Sequence, residues 1–188
     1  MTKVESLIFI DAPDYPNEEA FYDTILNCFK KIGITFKRSL YLGKNASKKE
    51  YMNFDKTNCV YFLMGGNPIT QRKIIDTLEL NSVLKGFDGL VIGFCAGAIN
   101  LSKYSIITTD EDFPTAQSYI GLGRVDITIE PHYNRTETKE ELDRRHTELN
   151  DFCSKYNTEI LAVPDSSIII VEDGNIKEYG EIYKFKNR

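Results

Sequence analysis

The sequence predicts an α/β fold: a three-layer sandwich with a mostly parallel central sheet and a β-hairpin near the C-terminal end. Short apolar runs alternate with stretches of helical periodicity along the chain, the pattern of parallel strands joined by crossover helices. Two runs, 59–64 (CVYFLM) and 89–93 (GLVIG), are almost wholly apolar, as strands covered on both faces must be. Asp173-Gly174-Asn175 falls between two strand-like runs and is a strong hairpin turn.

Residues 4–11 (VESLIFID) form the first expected strand. Pro16-Asn17-Glu18-Glu19 supplies a helix start, with a cap residue and acids in the first turn. Phe21, Ile25, Cys28 and Ile32 follow at spacings of four, three and four, which gives one apolar helix face. Gly33 ends that helix. Residues 35–42 are the second strand, and 43–58 a polar stretch holding a short helix and a turn. After strand 59–64 comes Gly65-Gly66-Asn67-Pro68, with Asn67 as N-cap and Pro68 as first helical residue. Ile74, Ile75 and Leu78 mark the buried face of that helix.

Residues 89–93 are the next buried strand. It runs through Phe94-Cys95 into a short helix opening Ala96-Gly97-Ala98. Residues 105–109 are a short strand and 110–124 a loop. Val125, Ile127 and Ile129 alternate with Asp126, Thr128 and Glu130, a period of two that predicts a strand whose polar face is wet. Residues 138–156 are a helix with Leu142, His146, Leu149, Cys153 and Tyr156 on one stripe. Strands 160–163 and 167–172 flank the turn Pro164-Asp165-Ser166, and two short strands near 177–179 and 182–185 follow. Repeats, low-complexity tracts and linkers are absent from the sequence, so residues 1–188 are expected to form a single domain.

Composition narrows the function classes. Lys and Arg number 23 against 28 Asp and Glu, a net charge of −5. No basic cluster is present, which argues against nucleic-acid binding. No apolar run approaches the ~18 residues of a membrane span, and the first residues lack the pattern of a secretory leader. The cysteines, at 28, 59, 95 and 153, form no CxxC, so a zinc ribbon or thioredoxin motif is not expected. Free thiols in a reducing cytoplasm are expected, three of the four in the core. Neither metal-ligand spacing nor a nucleotide fingerprint occurs, so no metal and no cofactor are expected. The expected partner is a small-molecule substrate, and the chain is expected to be a monomer or homodimer.

The chemistry concentrates in Gly93-Phe94-Cys95-Ala96-Gly97-Ala98. This is G-x-nucleophile-x-G between a predicted strand and a predicted helix, the context of a nucleophile elbow. The tight turn needs small neighbours, and a helix N-terminus favours a thiolate. Gly65-Gly66-Asn67 occupies the equivalent strand end one βα unit earlier, where open α/β sheets bind ligands. A glycine N–H there, together with that of Ala96, would make an oxyanion hole. Of the two histidines, His146 belongs to an apolar helix stripe and is expected to be a packed, satisfied side chain. His132 follows Pro131 at a strand end and is the candidate general base for Cys95. Asp165 and Asp110 are both candidates for the acid that orients it, and a loop aspartate is ordinarily a turn residue or cap.

These segments together resemble peptidase E, the aspartyl dipeptidases related to cyanophycinases. The resemblance rests on 60–67 (VYFLMGGN), the elbow 93–98 (GFCAGA), Thr108-Thr109-Asp110, Pro131-His132-Tyr133 and Val163-Pro164-Asp165-Ser166, in the family's order. It implies a class I glutamine amidotransferase-like fold, which is flavodoxin-like, and hydrolysis of short peptides with N-terminal aspartate. It also implies Cys95 as nucleophile, His132 as base, Asp165 and Asp110 as acids, and Gly66 and Ala96 as oxyanion-hole positions. Asn67, Arg135 and Lys139 are the substrate-binding candidates. The chain has Cys95 where the family has serine, and Asp165 where it has glutamate.

Two other readings are compatible with the sequence. One is a non-catalytic binding or redox-sensing module with a reactive Cys95. The other is a glutamine amidotransferase-type domain. Against the latter, Ile99 stands where that family's elbow has glutamine, and no H-x-E occurs.

Overall fold

Apolar strands and amphipathic helices assemble as the alternation demands. The computed structural model describes residues 4–13, 19–133 and 138–187. The chain divides into two compact units, Met1–Ala98 and Ile99–Arg188.

In the first unit, β1 (Ser6–Ile10), β2 (Arg38–Leu42), β3 (Cys59–Leu63) and β4 (Val91–Gly93) form one parallel sheet in the order β2-β1-β3-β4. All residues of β1 and β3 are buried, which is why, Ser6 apart, their sequences are apolar runs. β4 was expected to be fully buried. It is instead a half-buried edge strand, and Leu90 beside it is 56% exposed. Within this sheet it stands at the edge, with β3 as its one neighbour. The helices are α1 (Glu19–Lys31), α2 (Lys48–Asn53), α3 (Pro68–Thr77) and α4 (Asn81–Gly86). The polar stretch 43–58 does hold a short helix, α2, closed by a capping box between Ser47 and Glu50. α3 begins as the sequence predicts, with the Asn67 side-chain Oδ1 accepting from the N–H groups of Ile69 and Thr70, each at 3.0 Å.

The face of α1 is a correction. Phe21 and Ile32 are 52% and 71% exposed, and Cys28 is exposed as well. The buried face carries Tyr22, Ile25, Leu26 and Phe29, packed on Leu7, Phe9, Val60, Phe62 and Met64. Both stripes satisfy a 3.6-residue period and share Ile25. The chosen one places two rings, Tyr22 and Phe29, against a stack of Phe9 on Phe62 with centroids 5.6 Å apart, and aromatic area dominates core energetics. Cys28 therefore lies outside the core, and only Cys59 and Cys153 are buried thiols. Pro16 to Glu18, the expected start of α1, lie outside the described residues. Gly33, at φ +82°, closes α1 by donating to the Lys30 carbonyl at 3.0 Å.

In the second unit, β7 (Thr128–Pro131) and β8 (Ile160–Val163) pair in parallel, and β11 (Tyr183–Phe185) adds antiparallel to β8. Helix α5 (Ala96–Leu101) spans the division between the units. α6 (Lys139–Tyr156) packs Leu149, Phe152 and Cys153 with Ile106, Tyr133, Ile160 and Ala162. Leu142 and Tyr156 flank that core, as the predicted stripe requires. β9 (Ile168–Glu172) and β10 (Asn175–Tyr179) form the expected hairpin. Asp173 and Gly174 both have positive φ, as a two-residue primed turn needs.

Two expectations fail in this unit. The loop 110–124 contains a strand, β6 (Gln117–Ile120), paired antiparallel with β5 (Tyr104–Ile107). Gln117 and Ile120 are exposed, so this ribbon leaves no hydrophobic alternation to read. The polar face of β7 is not wet. Thr128 and Glu130 are 0% and 3% exposed, because a buried acid is tolerated where it is paired. The Glu130 carboxylate accepts from Thr108 Oγ1–H at 2.6 Å and lies 3.4 Å from Arg145 Nε.

Candidate active site

The elbow is built from main chain. β3 and β4 end in register, Leu63 opposite Gly93, so their two exit turns begin side by side. The Phe94 N–H donates to the Leu63 carbonyl at 2.9 Å, one step past β4. Cys95 then takes φ +50°, a left-handed state that is strained for a residue with a Cβ, and α5 starts at the next residue. The Gly97 N–H donates to the carbonyls of Met64, at 3.1 Å, and Phe94, at 2.9 Å. A Cβ at Gly97 would stand 2.2 Å from the Leu63 carbonyl oxygen, and one at Gly65 would stand 3.0 Å from the Cys95 Cβ. Gly66, at φ +129°, has the Ala12 carbonyl oxygen where a Cβ would go. The Cys95 side chain is half-buried. Ala96 is fully buried, and no described residue accepts from its N–H or from that of Gly66.

The histidine is held by side chains. β7 and β8 also end in register, Pro131 opposite Val163, and the Tyr133 N–H donates to the Val163 carbonyl at 3.2 Å. His132 and Asp165 leave these adjacent strand ends and meet: Nδ1–H of His132 donates to Asp165 Oδ1 at 2.5 Å. A carboxylate on Nδ1 fixes the proton there and leaves Nε2 as the basic nitrogen. His132, like Cys95, has positive φ, +56°. Its carbonyl oxygen accepts from Arg145 at 3.2 Å.

Asp110 is exposed, and its Oδ1 accepts from the Phe113 N–H at 2.7 Å, which makes it a turn residue here. The carboxylate that meets the His132 imidazole is that of Asp165. Asn67 commits its side-chain Oδ1 to capping α3. Lys139 opens α6 and is exposed, and Arg135 lies outside the described residues. His146 is a packed side chain, as expected, with Nε2 on the Tyr133 hydroxyl at 2.5 Å. In the first unit a cavity of about 380 Å³ is lined by Pro13, Lys44, Thr70 and Lys73 among others, and by none of the predicted site residues.

Sequence reasoning missed a polar cluster behind His132. Thr109 donates to the Glu148 carboxylate through both Oγ1 (2.6 Å) and N–H (2.8 Å). Thr108, Glu130 and Arg145 complete the cluster. The alternation in β7 puts Glu130 on the polar face, and that face is the inward one.

The sequence matches the model of peptidase family S51 over residues 2–179. The chain belongs to peptidase family S51. Membership makes it a hydrolase of the peptidase class. The fold agrees with a solved structure described as "Putative Peptidase E Protein from Listeria monocytogenes EGD-e", at a TM-score of 0.60 and 17% identity. That match covers 100% of this chain and 90% of the other. No curated protein matches the sequence. Among the described residues, no helix of this family member is long and apolar enough to cross a membrane.

Proposed function

We propose that this chain is a cysteine-dependent amide hydrolase that cleaves a short peptide, with N-terminal aspartyl dipeptides as the first substrates to test. The observation that carries the reading is the Cys95 elbow: a half-buried thiol at φ +50°, next to a buried Ala96 N–H that no described residue uses. Such a turn raises a side chain off the end of a sheet for attack on a carbonyl.

In this reading the Cys95 sulfur attacks the scissile carbonyl carbon, and the C=O π pair moves to oxygen. The N–H groups of Gly66 and Ala96 stabilise that oxyanion. His132 Nε2 takes the thiol proton and returns it to the leaving amine as the C–N bond breaks. Water then attacks the thioester, delivering a proton to Nε2, and the acid product leaves as Cys95 recovers its proton. Asp165 holds the imidazole in the tautomer this needs, and Asp110 remains a second acid to be tested by substitution. Asn67, Lys139 and Arg135 are the candidates for substrate contacts, and the cytoplasm is the proposed compartment.

The test is turnover of an Asp-Xaa dipeptide panel by wild type and Cys95→Ala, with release of free aspartate as readout. Hydrolysis by wild type and its loss, by about 10³-fold or more, in Cys95→Ala are expected. Unchanged turnover of a confirmed substrate by Cys95→Ala would overturn the mechanism.

A further inference from the structure

We propose that Arg145 is a positioning residue for His132: its guanidinium grips the His132 carbonyl and the buried Glu130 carboxylate together, and so sets the backbone from which the imidazole reaches Asp165. The proposal rests on reading His132 as the base, and its test is arranged to fail separately.

The geometry begins with the chain around His132. Pro131 has no N–H to offer the sheet, and His132 then turns at φ +56°. A strained backbone state of this kind persists only where its surroundings over-determine it. The Tyr133 N–H bond to Val163 fixes the far side of the turn. Arg145 fixes the near side. It donates to the His132 carbonyl at 3.2 Å, while its Nε lies 3.4 Å from Glu130 Oε1. Glu130 and His132 are two residues apart on one strand end, so a single planar group spans the turn.

The grip is stiff because it is dry. The side chains of Arg145 and Glu130 are 13% and 4% exposed. Thr108 Oγ1 donates to the same carboxylate oxygen at 2.6 Å, so the acid cannot swing with the arginine. Charge-assisted bonds in such surroundings are stronger than their counterparts in water. Lysine cannot substitute, because a point-like ammonium on a flexible stem lacks the fork that reaches a carbonyl and a carboxylate at once. Arg145 itself need touch no substrate. Its effect reaches the reaction through the angle of the His132 ring.

The experiment compares Arg145→Lys, Arg145→Met and Glu130→Gln with wild type. Ring ¹⁵N NMR of His132 is recorded at a pH of about 8.5, well above the usual histidine range. The chain has two histidines, so His132→Ala assigns the signals. In wild type the Nδ1-protonated tautomer is expected, held by Asp165. In Arg145→Lys and Arg145→Met the Nε2-protonated tautomer should appear alongside it, with Glu130→Gln intermediate. On a confirmed substrate, kcat should fall about tenfold to a hundredfold with KM changed by less than about twofold. Thermal unfolding is followed in parallel, because a merely structural role would lower the melting temperature and leave the tautomer alone. An unchanged His132 tautomer in folded Arg145→Lys and Glu130→Gln overturns the proposal. If wild type turns over no amide but the tautomer responds to Arg145, the hydrolase reading fails and the positioning role stands.

Discussion

Cys95 holds φ +50° where Gly65 and Gly97 let main chain come close, whereas His132 holds φ +56° in the company of a buried carboxylate and a guanidinium. At the elbow the constraint is steric. Gly65 and Gly97 let the β3 and β4 exits approach, and a Cβ at Gly97 would overlap a main-chain carbonyl. At the histidine the constraint is electrostatic and long-range, from residues 108, 130 and 145. One backbone state is thus reached by subtraction in one unit and by addition in the other. The two designs should fail differently.

The largest expected effect tests the electrostatic side. Glu130→Ala strips the counter-charge from Arg145, and removing one partner of a buried pair costs about 3–5 kcal/mol. Urea titration should show that loss. A loss below about 1 kcal/mol would mean that the pair is too well solvated to hold the turn. Next comes the steric side. Gly97→Ala should lose about 1–3 kcal/mol by overpacking, although alanine is otherwise the better helix former. Alkylation of Cys95 by iodoacetamide, mapped by mass spectrometry, should change along with it. If Gly97→Ala is neutral and Cys95 reacts as before, the close approach to Leu63 is not what sets the elbow.

The smallest effect contrasts two buried acids. Glu130 has a guanidinium beside it. Asp11, 3% exposed, has the Tyr41 hydroxyl at 2.6 Å and the Ala12 N–H at 2.9 Å. Burial pushes the Asp11 carboxyl above its ordinary value of 3.8, and the two hydrogen bonds offset part of that rise. The folded state therefore binds this proton more tightly than the unfolded chain. Its contribution to stability is fully present below pH 3.8 and is lost as pH rises through the raised folded value. Asp11→Asn should lack that component, and stability curves of the two proteins across acid pH should separate accordingly. Parallel curves would show that Asp11 ionises in the fold as it does in water.

What could be read from the sequence follows the same division. The elbow, the Asn67 cap, the Asp173-Gly174 hairpin and the strands β1 and β3 are each specified within about ten contiguous residues. Local sterics and periodicity revealed them. The meeting of His132 with Asp165 follows from strand register, which pairs Pro131 with Val163. The sequence alone names both Asp165 and Asp110, because strand register is not written in local pattern. The Glu130–Arg145 pair was illegible because alternation says which residues share a face and not which face is inward. α1 misled for a related reason: two stripes of equal period compete, and the packing partner decides. β6 left no trace because an exposed ribbon needs no apolar pattern.

The packing around Gly97 also limits what can be changed at this site. A Cβ at Gly66 or at Gly97 would stand 2.2 Å from a main-chain carbonyl oxygen, and one at Gly65 would press on the Cys95 and Phe94 side chains at 3.0 Å. Neither Gly66 nor Gly97 can take a side chain without movement of the main chain. Position 95 differs: it already carries a side chain, and that side chain is half-buried rather than sealed. The elbow therefore behaves like a socket of fixed shape that accepts interchangeable heads. Sulfur can be exchanged for oxygen by Cys95→Ser without reworking the frame.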